Sequence, residues 1–166
     1  MIYPIALINH WKIAISAKPL GFDQLETEIL NFKSQQIDWM INLLEDWEIE
    51  QFGLNEEENL CLKHQIKFDR LPIADNSIPG FQRFADKIEQ VYAQLPNTGN
   101  LVVHCHHGLG RSGLFVAGLL LKSGINLDSA LETIELRRGF RCPSSPSQMR
   151  FIKSYDLFLN GHISTQ

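Results

Sequence analysis

The residues best equipped for chemistry are packed into one short stretch, His104-Cys105-His106-His107-Gly108-Leu109-Gly110-Arg111-Ser112. An apolar run, Leu101-Val102-Val103, leads into it, and a second apolar run, Leu114 to Leu121, leads out. This pattern predicts a strand ending at Cys105, a turn loosened by Gly108 and Gly110, and a helix starting near Arg111. Such a turn aims unpaired backbone N–H groups and the positive end of a helix at one point, which makes it an anion cradle. A field that attracts a phosphate also stabilises a thiolate, so Cys105 is a candidate nucleophile. Arg111, permanently charged and planar, can hold two oxygens of a tetrahedral phosphoryl group.

On these residues the chain resembles the cysteine-dependent protein tyrosine phosphatases, whose signature is His-Cys, five residues, Arg-Ser/Thr. Gly108-Leu109-Gly110-Arg111-Ser112 with the helix residues Leu114, Val116, Ala117 and Leu119 to Leu121, and Pro72-Ile73-Ala74-Asp75 upstream, is most similar to the kinase-associated phosphatase group of the dual-specificity branch. The similarity covers roughly Ile37 to Leu159, most of the chain. It implies a cysteinyl-phosphate mechanism. Cys105 would attack phosphorus, Arg111 and the amides of His106, His107, Gly108, Leu109 and Gly110 would hold the phosphoryl oxygens, and Asp75 would protonate the leaving group. Ser112 would hydrogen-bond the sulfur, and His104 would brace the loop rather than act as a base.

Two departures from the family pattern stand out. Relatives often carry Gln-Thr, two residues, Gln near the last helix, the first glutamine orienting the hydrolytic water. Here the stretch is Ser144-Ser145-Pro146-Ser147-Gln148, and Gln148 is equally the partner that a capping box opened by Ser145 would want. His106 and His107 are the second departure, two imidazoles where they could alter the rim of the site. The lysines that mark phosphoinositide phosphatases are absent from the loop, which favours a phosphoprotein over a lipid.

The surrounding pattern predicts the elements that carry these residues. Ile13 and Ile15 alternate with small or polar residues, as in a short strand at a sheet edge. Leu25, Ile29 and Phe32 give residues 23–36 a helical stripe, whereas 37–44 reads as a strand buried on both faces. Asn55-Glu56-Glu57-Glu58 opens a helix with carboxylates in its first turn, a solvated acidic run by composition. Residues 66–71 form a strand, and Pro72 to Pro79 a loop carrying Asp75. Phe81, Phe84, Ile88, Val91 and Leu95 recur at spacings of three and four, the clearest amphipathic helix in the chain. A turn at Asn97-Thr98-Gly99-Asn100, a helix over 127–137 and a last helix opened by Ser145 complete the order. Strands alternating with helices predict an α/β fold with a single central, mostly parallel sheet flanked by helices, of dual-specificity phosphatase size. Its ligand is expected beyond the C-terminal strand ends.

With 166 residues and 44% hydrophobic content, the chain is expected to form one phosphatase domain, residues 1–166, as a monomer. Cys61, Cys105 and Cys142 are too few and too scattered for a disulfide framework, which points to a reducing, cytoplasmic setting. A redox role for Cys61 or Cys142 beside Cys105 stays open. No apolar run approaches the ~20 residues that span a bilayer, and a net charge of −4 argues against nucleic acid. The Arg137, Arg138 and Arg141 group is either a solvated face or a phosphate-facing rim. The expected partner is a phosphorylated protein or peptide, with phosphotyrosine and phosphoserine or phosphothreonine both accepted, and no cofactor is expected. Three alternatives remain at this level. The His/Cys crowding could bind a metal, although successive strand-end residues point in opposite directions. The chain could be a silent phosphoprotein-binding module, or it could act on a non-protein phosphomonoester such as a phosphoinositide.

Overall fold

A computed structural model describes residues 1–95 and 98–161. Asn97, in the turn expected ahead of the nucleophile strand, lies outside the described residues, as do residues 162–166. The strands are β1 (Ile2–Ile8), β2 (Trp11–Ser16), β3 (Trp39–Asn42), β4 (Lys67–Arg70) and β5 (Gly99–His104). The helices are α1 (Leu25–Ser34), α2 (Asp46–Gln51), α3 (Glu57–Lys63), α4 (Phe81–Ala93), α5 (Gly110–Lys122), α6 (Leu127–Arg138) and α7 (Pro146–Leu159). One five-stranded sheet has the order β1-β2-β5-β3-β4, parallel throughout except for the β1–β2 hairpin. The α/β fold with a mostly parallel central sheet is therefore the one present.

The sheet is covered on both faces, and alternation along the strands decides which side chain goes where. Ile13, Ile15, Trp39, Ile41, Leu101 and Val103 face a core shared with α4, α5, α6 and α7. Ala14, Met40 and Val102 face the opposite side, against Leu25, Ile29 and Phe32 of α1 and Cys61 of α3. Helix α5, apolar almost all round, is buried along nearly its full length, as its sequence requires. Phe84 of α4 anchors that layer, with edge-on contacts to Phe115 of α5 and to Phe151 and Tyr155 of α7.

Two expectations need correction, and one helix was not expected. The strand carrying Ile13 and Ile15 is internal, between β1 and β5. The edge belongs to β1, whose Pro4 falls at a register shift, a signal that breaks simple alternation. The helix expected over 23–36 begins at Leu25, after a 3-10 turn at Phe22–Gln24. Helix α2 has no counterpart in the sequence reading, because six residues are too short to show a period.

Parallel pairing brings the C-terminal ends of β2, β3, β4 and β5 to one edge, with Ser16, Asn42 and His104 in register. Four segments leave the sheet there: the Lys18 turn after β2, the α2 segment after β3, the Asp75 loop after β4 and the Cys105 turn after β5. No helix among the described residues is long and apolar enough to cross a membrane. Because Phe84 is fully buried among three other aromatic rings, Phe84→Ala should lower the unfolding free energy by about 3–5 kcal/mol in urea titrations. An unchanged midpoint would contradict this packing.

Candidate active site

The cradle forms where β5 runs out. Ser16 sits beside its first turn, and Gly108 is required there twice over. Its φ is +70°, and a Cβ would lie 2.6 Å from the Ser16 carbonyl oxygen. The Lys18 N–H donates to the His106 carbonyl at 3.1 Å and fixes the outer strand of the turn. Among the described residues, no backbone acceptor takes the N–H groups of His106 to Arg111, the condition an anion cradle requires. Cys105 itself is buried, only 3% exposed.

Arg111 is buried as well, and its partners divide the guanidinium into two edges. Nη1 donates to Glu48 Oε2 at 2.7 Å and Nη2 to Glu48 Oε1 at 3.0 Å, a bidentate pair from α2. Nη1 also donates to the Ile73 carbonyl at 2.9 Å, at the start of the acid loop. The other edge is different. Nη2 lies 3.3 Å from Asp75 Oδ1, and Nε is buried with no protein partner among the described residues. Ser112 Oγ is likewise buried and unpartnered, so it does not bond the Cys105 sulfur in this arrangement. Two orphaned donors beside a ring of free amides fit a bound oxyanion.

The charges reinforce one another. Burial works against the Arg111 charge, but the hydrogen bond to Glu48 and the charges of Cys105, Glu48 and Asp75 outweigh it and push the guanidinium further up. Burial also opposes ionisation of Glu48. Its bonds to Arg111 and to the Glu45 N–H reverse that and hold the carboxyl below the usual range. Glu48 closes a capping box with Glu45 at the start of α2, which sets its side-chain direction.

His104 turns into the core. Its Nε2 is 2.6 Å from Glu57 Oε1 and its Nδ1 is 3.4 Å from the Cys105 carbonyl, while Asn42 Nδ2 donates to Glu57 Oε2 at 2.5 Å. The acidic run that opens α3 is thus not wholly solvated, since Glu57 is buried. His106 stacks between Phe52, at 4.6 Å, and His107, at 3.9 Å. Partial burial, then the neighbouring His107 and Lys18 charges, push the His106 imidazole down. His104 pairs with Glu57 while His106 and His107 stack on each other, and no set of three metal-ligating side chains gathers among the described residues.

The arginine group splits too. Arg138 is buried, its Nε donating to the Gly108 carbonyl at 2.8 Å and its guanidinium lying 3.8 Å from the Tyr3 ring centre. It holds the cradle from behind and is neither a solvated nor a phosphate-facing residue. Cys142 Sγ donates to the Leu109 carbonyl at 2.6 Å, and burial, then the Cys105 charge, push its thiol up to about 12. All three cysteines are free. Gln148 is fully buried, its N–H donating to Ser145 Oγ at 3.2 Å and its amide reaching both the Ser145 N–H and the Ser77 carbonyl.

A family model described as "Polymorphic toxin system, DSP-PTPase phosphatase" matches residues 17–125. The chain belongs to this DSP-PTPase phosphatase family. Among curated proteins, the phosphatase chain is 32% identical over 113 residues to an Arabidopsis thaliana protein named phosphatidylinositol 3,4,5-trisphosphate 3-phosphatase and protein-tyrosine-phosphatase PTEN1. That match covers 61% of this chain and 27% of the relative. It is 29% identical over 97 residues to human cyclin-dependent kinase inhibitor 3, covering 57% of this chain and 46% of the relative. The phosphatase chain thus spans less than half the length of the curated relatives it matches. Among solved structures, kinase associated phosphatase superposes with a TM-score of 0.81 at 21% identity, over 92% of this chain and 89% of that one, a likeness of fold.

The sequence reading named Cys105, Arg111, Asp75 and Ser112, and the fold brings Asp75 to Arg111 with Cys105 close enough for its charge to act on the guanidinium. It leaves Glu48 unnamed and reads Glu57 as part of a solvated run and Arg138 as solvated or phosphate-facing, because all three look like helix-surface charges until their partners are known. One signal was available: a buried arginine requires a carboxylate. Because the Glu48 carboxyl is held below its ordinary range, its contribution to stability is present above about pH 4.3 and lost as pH falls through the lowered value. Glu48→Gln should cost about 3–5 kcal/mol at pH 7 and flatten the acid limb of the stability curve in denaturant titrations. A variant as stable as the parent at pH 7 would contradict the pairing.

Proposed function

We propose that the chain is a phosphoprotein phosphatase working through a cysteinyl-phosphate intermediate. The observation that carries this reading is the division of Arg111. With the Nη1/Nη2 edge taken by Glu48, the Nε/Nη2 edge is the one left for a ligand: among the described residues, Nε is buried and unpaired, and the amides of the turn after β5 have no backbone acceptor. A dianionic phosphoryl group supplies the acceptors these donors need.

In the first step the Cys105 sulfur attacks phosphorus and an S–P bond forms as the ester P–O bond breaks. The amides of His106 to Gly110 and the Arg111 edge hold the three non-bridging oxygens. Asp75, about half exposed at 53% and 3.3 Å from Arg111, gives its proton to the departing oxygen. In the second step a water oxygen bonds to phosphorus as the S–P bond breaks, and the proton of that water returns to Asp75. Ser112 Oγ, with no partner among the described residues, would donate to the sulfur that leaves as thiolate.

The substrate follows from the setting of the acid. A carboxylate half open to solvent, on a short loop at a sheet edge, suits a shallow site, so phosphotyrosine, phosphoserine and phosphothreonine are all accommodated. The three free cysteines suit a reducing compartment such as the cytoplasm. The name of the Arabidopsis relative keeps a phosphoinositide as the second substrate class to be tested.

Inorganic phosphate release from para-nitrophenyl phosphate, without added metal, tests the reading. Cys105→Ser should abolish it and Asp75→Asn should cost about 10²–10⁴-fold in kcat. Turnover by Cys105→Ser at the parent rate would refute the mechanism, and phosphopeptide binding without turnover would establish a binding module instead. A panel of phosphotyrosine, phosphoserine and phosphothreonine peptides and a soluble phosphoinositide fixes the substrate. Exclusive phosphotyrosine hydrolysis would refute the shallow site.

A further inference from the structure

Gln148 makes three contacts that a helix cap alone does not explain. Its Oε1 accepts from the Ser145 N–H at 3.4 Å, closing the capping box of α7. Its Nε2 donates to the Ser77 carbonyl at 3.0 Å, 71 residues away in the acid loop. The same amide presses on the cradle, since a Cβ at Gly110 would lie 2.8 Å from Oε1 and 3.2 Å from Nε2. The two outer partners fix the orientation of the amide: an N–H must meet the oxygen and a carbonyl must meet the nitrogen, so a flipped amide would lose both bonds.

The acid loop is otherwise tied at one end. Arg111 holds the Ile73 carbonyl, and the Ile73 N–H donates to the Leu43 carbonyl at 3.0 Å. On the far side of Asp75, the Ser77 N–H turns back to the Ala74 carbonyl at 3.0 Å, a bond internal to the turn. Gln148 ties that far side to α7. Asp75 therefore sits in a turn pinned on both flanks, by Arg111 before it and by Gln148 after it, and both pins reach the cradle.

We infer that Gln148 is a positioning residue for the general acid: its amide latches the Ser77 carbonyl so that the Asp75 carboxyl stays over the cradle. This rests on the phosphatase reading and assigns to Gln148 a role in the leaving-group step rather than in orienting the hydrolytic water. Fully buried in a polar amide pocket, Gln148 acts on Asp75 through the loop backbone and touches no reacting atom.

Hydrolysis of a series of aryl phosphates with increasingly basic phenols tests it. Loss of the latch removes part of the about 10²–10⁴-fold that a general acid supplies, and it does so most where the leaving group most needs the proton. Gln148→Met loses both side-chain bonds, whereas Gln148→Glu keeps an acceptor for the Ser145 N–H, as capping boxes allow, and loses the donor to Ser77, the effect of its added charge on the anion being common to the whole series. Both variants should lose about tenfold more kcat/KM on the most basic phenol than on the least basic, a share of the general-acid contribution. In an Asp75→Asn background the same substitutions should add no further leaving-group dependence. Equal losses across the series, or a slowed second step seen as a larger burst of phenol, would overturn the latch and assign Gln148 to the water. A parent protein that hydrolyses none of the series would overturn the phosphatase reading itself.

Discussion

A guanidinium buried beside a reactive sulfur needs a fixed counter-charge, and Glu48 is that counter-charge. The pair joins α2 to the start of α5 by two parallel bonds, 2.7 and 3.0 Å long. An ion pair with this much desolvation adds little net stability, yet breaking it strands a charge in the core. Its value lies in orientation. With one edge of Arg111 committed to Glu48, the other edge is fixed in direction beside Asp75, and the same Nη1 that meets Glu48 also holds the Ile73 carbonyl. Nucleophile turn, arginine and acid loop are thereby set relative to one another before any substrate arrives, which is the preorganisation that electrostatic catalysis requires.

The rest of the fold serves that arrangement from outside. Parallel pairing of β2, β5, β3 and β4 delivers four segments to one edge, and each brings a different part: a backbone brace at Lys18, the counter-ion at Glu48, the acid at Asp75 and the cradle itself. Behind the cradle, Arg138 and Cys142 take the carbonyls of Gly108 and Leu109. With those carbonyls turned back into the protein, the peptide units present their N–H groups forward. His104, tied to Glu57 at the far end of its ring, meets the carbonyl of the nucleophile residue Cys105 in the same way.

What was legible in the sequence is what is local. The cradle is written in consecutive residues, and the amphipathic stripe from Phe81 to Leu95 and the α7 capping box lie within a few turns of helix. Glu48 meets Arg111 across 63 residues, Glu57 meets His104 across 47 and Arg138 meets Gly108 across 30. Nothing in the neighbourhood of those charges marks them as buried, because the partner that makes burial tolerable comes from another element. Gln148 was legible in half its role. The cap is local, and the bond to Ser77 is not.

In the proposed complex the Nε/Nη2 edge of Arg111 and the cradle amides hold a tetrahedral oxyanion over Cys105 while Glu48 keeps the opposite edge. A crystal structure of the protein with vanadate tests it directly. The expected complex has vanadium bonded to the Cys105 sulfur, with equatorial oxygens on Arg111 Nε and Nη2 and on the amides of His106 to Gly110, and the Glu48 pair intact. Vanadate bound elsewhere, or an Arg111 that abandons Glu48 to meet it, would contradict the account.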